Sequence, residues 1–178
     1  GMGNASLRMS RYYFELLRQK GIPTHYIDAN LEDNTMIVKP ATTFGDGLEI
    51  ICRFKVYGSF LKRYARYAKK EQDLDELVEV TLKDDERGDP PINEEALVQL
   101  NLMTHEEFAL VTDMTRKIAR IIKDDLAAKG LVLYDIKFEF GRVEGQVMVI
   151  DDISGGNMRV FKDGRQVDPL ELAVLVTQ

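Results

Sequence analysis

Asp135, Lys137 and Glu139 follow one another at a spacing of two residues, and Asp151 stands a short turn and a further apolar run beyond them. On a strand a period of two puts the first three side chains on one face, with Asp151 at the end of the strand that would return beside them. A hard cation such as Mg²⁺ takes carboxylate oxygens and keeps phosphate and water as its other ligands. Glu139 and Asp151 could supply the carboxylate pair, and Lys137 could meet the charge of the phosphate. The same pattern also describes an exposed strand face whose alternating charges protect a sheet edge. Spacing alone leaves these two readings in balance.

Charge is uneven elsewhere. Residues 53–70 carry Arg53, Lys55, Lys62, Arg63, Arg66, Lys69 and Lys70 with no acid, and residues 71–89 carry nine acids against Lys83 and Arg87. One reading is a solvated helix face beside an acidic loop; the other is a local anion site that concentrates a phosphorylated ligand on an acidic protein. No GxxxxGK[ST] loop, GxGxxG, paired-histidine metal motif or CxxC is present. His105 reads as a solvated residue in the first turn of a helix, and His25 lies in a short strand with no assigned role. Cys52 reads as a small buried hydrophobe rather than a nucleophile.

The elements that must position these residues follow from periodicity. Leu7, Phe14 and Leu17, widened by Tyr13 and Leu16, predict a helix over 6–20 that Gly21 and Pro23 stop. Residues 24–28 and 35–39 predict a strand pair turned by Glu32-Asp33-Asn34, and residues 48–54 a further strand after Gly45-Asp46-Gly47. A basic, aromatic helix is expected over 59–70. Thr104 with Glu107 forms a capping box, and Phe108, Val111, Met114, Ile118, Ile121, Ile122 and Leu126 trace one apolar stripe over 104–129. Strict alternation over 131–140 puts Val132, Tyr134, Ile136, Phe138 and Phe140 on one face, with a hairpin returning through 146–151. The 178 residues fit one domain or one and a fragment of a second. A single cysteine fits a reducing, cytoplasmic setting. The net charge of −6 argues against general nucleic-acid binding, and no apolar run approaches a membrane span.

Several segments, in order and spacing, resemble the SAICAR synthetase family. They are LLRQKGIPTH (16–25), IVK (37–39), EIICR followed by YGSFLKR (49–63), LKDD (82–85), DPPINE (89–94) and DIKFEFG (135–141). The resemblance implies an α+β fold with a mainly antiparallel sheet and a packed long helix. It implies a ligase of purine biosynthesis that uses ATP and Mg²⁺ to couple the imidazole carboxylate of CAIR to aspartate. Carried over, Glu139 and Asp151 would face Mg²⁺ and ATP with Lys137 beside them. Arg53, Ser59 and Arg159 would hold the ribose phosphate of the imidazole nucleotide, and Lys39 would line the adenine segment. Lys83 and Asp89 would stand near the nucleotide substrate. For the phosphate group, the competing expectation is that Arg53 pairs with an acid such as Glu49 while Ser59 merely caps a helix.

The family's glycine-and-lysine loop over the ATP phosphates has no counterpart here. Residues 1–54 are therefore expected to be the remnant of an N-terminal nucleotide-binding lobe and 55–178 the larger lobe, with ATP between them and self-association as a possible homo-oligomer through unpaired strand edges. Phe54, Val56, Tyr57, Gly156 and Met158 also depart from the family pattern. These departures keep open a second reading, a non-catalytic paralogue that binds a nucleotide or phosphometabolite.

Overall fold

A computed structural model describes residues 2–178. Helix α1 (Met2–Gln19) begins a turn earlier than its apolar spacing predicts and buries Met9, Tyr13, Phe14 and Leu17. It ends where Gly21 takes a φ of 78° and the Ile22 amide returns to the Leu17 carbonyl, closing the helix on a left-handed residue. Strands β1 (Tyr26–Asn30) and β2 (Thr35–Val38) pair antiparallel as a separate two-stranded ribbon. After β3 (Thr42–Thr43), strand β4 (Leu48–Lys55) enters the main sheet. The boundary expected at residue 54 falls just before the end of that strand.

Two expectations need correction in the stretch that follows. Helix α2 spans only Gly58–Tyr64. Lys69 and Lys70 lie in the turn that brings the chain back to β4, where the Val56 amide donates to Gln72 and the Glu71 amide to Val56. The acidic run is a loop only in its second part, because Asp73–Leu82 forms strand β5. Val78, Val80 and Leu82 alternate there with Glu79 and Thr81, a strand pattern that the density of acids conceals. Asp73 and Asp75 sit on the exposed end, where charge costs nothing.

Helix α3 (Glu94–Gln99) leads to α4 (His105–Ala127), which carries the predicted capping box: Thr104 Oγ accepts from the Glu107 amide, and the Glu107 carboxylate accepts from the Thr104 amide. Strands β6 (Val132–Val143) and β7 (Gln146–Ile150) form the predicted hairpin, closed by Glu144 and Gly145, both at positive φ. Strands β8 (Met158–Lys162) and β9 (Arg165–Gln166) and helix α5 (Pro169–Thr177) complete the chain. The sheet runs β5-β4-β6-β8-β9, with β3 and β7 flanking the far end of β6. Every strand pairing is antiparallel.

Strand β6 is the spine, and its alternation divides the molecule into two faces. Ile136, Phe138 and Phe140 join Ile50, Cys52 and Val80 on the face that meets Val111, Ile118, Ile122 and Leu126 of α4. The opposite face of β4, β5 and β6 carries Glu49, Arg53, Glu79, Thr81, Asp135 and Lys137. The first residues of β6 do not obey the predicted alternation. A register shift between Leu133 and Asp135 turns Leu133 into the core, while Val132 is exposed and Tyr134 stacks on Phe161 with ring centroids 3.8 Å apart. No helix among the described residues is long and apolar enough to cross a membrane.

The capping glutamate also ties α4 to the sheet. Arg142 of β6 donates from Nε and Nη2 to the two Glu107 oxygens at 2.8 and 2.9 Å. That fork holds the Glu107 carboxyl below its ordinary value of 4.5. A depressed carboxyl stabilises the fold fully above its unfolded value and loses that contribution as pH falls through the folded one. Glu107→Gln is therefore expected to cost about 1–3 kcal/mol at neutral pH. The difference from wild type should shrink as urea unfolding is repeated at pH values falling below 4.5.

Candidate functional site

The polar sheet face is organised around Arg53, which is 2% exposed. A guanidinium taken this far from water must be paired and hydrogen-bonded. Its Nε donates to the Glu79 carboxylate and its Nη2 to Ser59 Oγ at 3.0 Å, and its Nη1 lies 3.7 Å from Asp135 Oδ2. Asp135 also accepts from Arg159 Nη1 at 2.9 Å, and Glu79 from Arg63 Nη2 at 2.6 Å. Burial pushes the Asp135 carboxyl upward, and the Arg159 and Arg53 guanidiniums oppose that push. Three guanidiniums around two carboxylates leave one positive charge in excess. Of the competing expectation, half holds: Arg53 does pair with an acid, Glu79 rather than Glu49, which lies 3.6 Å from Lys137 Nζ, while Ser59 does not cap α2.

Arg53, Ser59, Asp89, Asp135, Lys137 and Arg159 line one open cavity of about 300 Å³. The three residues expected at a phosphate thus face a common space although they come from β4, α2 and β8. Close approach of backbone makes this possible. Gly58 has a φ of 57°, and a Cβ there would lie 2.5 Å from Arg159 Nη1 and 2.7 Å from its Cζ. The Arg159 guanidinium therefore rests directly on Gly58 and also faces the Tyr57 ring at 5.6 Å. Asp89, at a φ of 48°, accepts the Asp84 amide at 2.7 Å and so closes the turn that borders the cavity. Thr81 Oγ1, on the same wall, is buried without a protein partner.

A smaller cleft continues from the first along β6. Glu139, Asp151, Asp152 and Lys83 line it, while Glu49, Lys137 and Asn157 line both spaces. Lys83 Nζ donates to Glu139 Oε1 at 2.9 Å, which raises the lysine. Gly47 leaves room for that pair, since a Cβ there would lie 2.9 Å from Lys83 Cδ and 3.2 Å from Glu139 Oε2. Burial, with Asp152 and Glu139 nearby, pushes the Asp151 carboxyl up, and Lys83 opposes this. Four carboxylates against two lysines line this cleft, a surplus of negative charge that suits a Mg²⁺ ion taking its remaining ligands from phosphate and water. No group of three or more protein carboxylates, histidines or cysteines that could hold a metal is gathered among the described residues.

The other expected residues divide. Lys39 is exposed and lines neither space; its amide donates to the His25 carbonyl at 2.7 Å. His25 is buried, which lowers its pKa, and its Nε2 lies 2.9 Å from the Asp151 carbonyl oxygen. His105 is exposed beside Glu94, as expected. Cys52 is fully buried with its thiol pushed up to about 12, which makes it a core residue. Sequence reasoning missed Glu79 because it lies in the unrecognised β5. It noticed Asp135 only as part of an alternating face.

The seat of Arg159 on Gly58 makes a specific prediction. Gly58→Ala should lift the guanidinium away and weaken binding of ribose 5-phosphate by about tenfold or more in titration calorimetry. Gly21→Ala is the control, because Gly21 also has positive φ but has nothing within 4 Å of its added Cβ. It should lower stability by roughly 1 kcal/mol and leave that binding unchanged.

Comparison with known proteins points in one direction. The family model described as SAICAR synthetase matches residues 1–170. The phosphoribosylaminoimidazole-succinocarboxamide synthase of Clostridium tetani is 53% identical over 180 aligned residues, covering 100% of this chain and 79% of that protein. The synthase of the same name from Pyrobaculum calidifontis is 36% identical over 168 residues, covering 94% and 69%. Among solved structures, a structural-genomics SAICAR synthetase superposes with a TM-score of 0.90 at 31% identity, covering 99% of this chain and 86% of that one. A SAICAR synthetase in complex with ADP gives 0.85 at 32% identity, covering 93% and 70%.

Proposed function

Because this chain belongs to the SAICAR synthetase family, we propose that its polar sheet face joins CAIR to aspartate at the expense of ATP. As a member of that family it is an ATP-using ligase of purine biosynthesis. The observation that carries the assignment of residues is the shared wall. Lys137, Glu49 and Asn157 border both the arginine-lined cavity and the acidic cleft, so a ligand in each would meet at Lys137.

A carboxylate is a poor electrophile. Transfer of the terminal phosphoryl group of ATP to a CAIR carboxylate oxygen gives an acyl phosphate and ADP. The aspartate amine then forms the new C–N bond, phosphate leaves with the C–O electron pair, and the amine proton passes to solvent. Such chemistry asks the protein mainly for positioning and charge neutralisation. Arg159 and Ser59 would donate to the ribose phosphate, with Arg53 holding Ser59 and adding charge. Lys137 would neutralise the CAIR carboxylate and the phosphoryl group approaching it. Glu139 and Asp151 would hold Mg²⁺, whose chemistry is to screen charge on the phosphate oxygens. Lys83 would leave Glu139 for a phosphate oxygen, and Asp89 would fix the turn over the imidazole nucleotide. The nucleotide would extend from the acidic cleft toward Lys39, between residues 1–54 and 55–178.

Steady-state kinetics test these roles. Product formation should require CAIR, aspartate and ATP together. Arg159→Ala should raise the KM for CAIR by about tenfold or more with a smaller change in kcat, because it removes a charge-assisted bond to a non-reacting group. Asp151→Asn should instead lower kcat by about 100-fold or more. An unchanged KM for CAIR in Arg159→Ala would remove the phosphate subsite from this account.

A further inference from the structure

We propose that His25 and Ser10 are positioning residues for the Asp151 carboxylate, acting through the backbone of residues 151–153. The proposal rests on the reading of Asp151 as a carboxylate of the Mg²⁺–nucleotide cleft. Asp151 stands just past the end of β7 with a φ of 69°, a left-handed conformation that aspartate adopts more readily than most residues. Two buried polar side chains hold this one. His25 Nε2 lies 2.9 Å from the Asp151 carbonyl oxygen; a carbonyl only accepts, so Nε2 carries the proton. Ser10, 1% exposed on α1, receives the Ile153 amide at 3.1 Å and donates to the Ile153 carbonyl at 3.3 Å.

The anchors themselves are fixed. The His25 amide donates to Val149 of β7 at 3.2 Å, Thr24 bridges the same residue in parallel, and the His25 ring meets Phe14 of α1 edge-on at 5.4 Å. Ser10 lies on the helix whose Met9, Tyr13 and Phe14 are buried in the main core. The acidic loop is therefore pinned on both sides of Asp151, by Ser10 of α1 and by the segment around His25 that follows it. Without the His25 bond, the peptide after Asp151 can rotate toward ordinary φ and swing the carboxyl away from Glu139. Partners of this kind, one bond removed from a ligand, typically change metal affinity by tenfold to a hundredfold.

Titration calorimetry on the whole chain tests this with two probes, Mg-ADP and ribose 5-phosphate, alongside thermal melting. His25→Leu is expected to weaken Mg-ADP by about tenfold or more and to leave ribose 5-phosphate within about twofold. His25→Gln, whose amide can still donate to the Asp151 carbonyl, should recover most of the lost affinity. Ser10→Ala should give the same selective loss, and it decides the matter if His25→Leu does not fold. Wild-type Mg-ADP affinity in the folded variants, with Asp151→Asn weakened, would overturn the proposal and leave the cleft intact. Wild-type Mg-ADP affinity in Asp151→Asn would overturn the reading of the cleft itself. A parallel loss of ribose 5-phosphate binding would mark general loosening and would also overturn the positioning role.

Discussion

The cost of burying the Arg53 guanidinium constrains the whole polar half of this molecule. A charge almost wholly removed from water is tolerated only when every direction it points in holds an acceptor. Glu79, Ser59 and the Tyr57 carbonyl supply those acceptors, and Asp135 of β6 adds a countercharge 3.7 Å away. Each partner must then stay where it is, so the strand order β5-β4-β6 and the short helix after β4 are locked together by one side chain. Asp135 passes the constraint on to Arg159 in β8. The outcome is a wall whose guanidinium and hydroxyl groups are oriented before an anion arrives.

The two faces of β6 carry opposite duties. On one side, phenylalanines and aliphatics pack against α4 and provide the stability. On the other, residues at alternate positions of the same strand, Asp135, Lys137 and Glu139, run from the arginine-lined cavity into the acidic cleft. A strand rises about 3.3 Å per residue, so Asp135 and Glu139 stand roughly 13 Å apart. That separation keeps the two charge environments distinct while Lys137 stands between them. A ligase that must bring a carboxylate and a phosphoryl donor together gains from having both sites on one inflexible element.

Features set by local chemistry were legible in the sequence. The capping box at Thr104 and Glu107, the apolar stripe of α4 and the β6–β7 hairpin depend on residues close together in the chain. Strand β5 was not legible, because its acids look like a solvated loop until β4 supplies the partner that buries Val78 and Val80. The bulge that turns Leu133 inward was also hidden, since alternation carries no sign of a register shift on the neighbouring strand. The grouping of Arg53, Ser59 and Arg159 came from resemblance to a family; nothing in their spacing could bring them together. Glu79 and the anchors on the Asp151 loop were invisible for the same reason, being contacts between distant segments.

The central claim is that one polar face holds a phosphate at its arginine-lined end and a Mg²⁺–nucleotide at its acidic end, with Lys137 between. The most direct measurement is a crystal structure of the chain with CAIR and Mg-ADP bound together. The account predicts the ribose phosphate within about 3 Å of the Arg159 and Ser59 donors, the CAIR carboxylate facing Lys137, and the ADP phosphates beside Glu139 and Asp151. A CAIR phosphate in the acidic cleft, or either ligand bound away from this face, would contradict it.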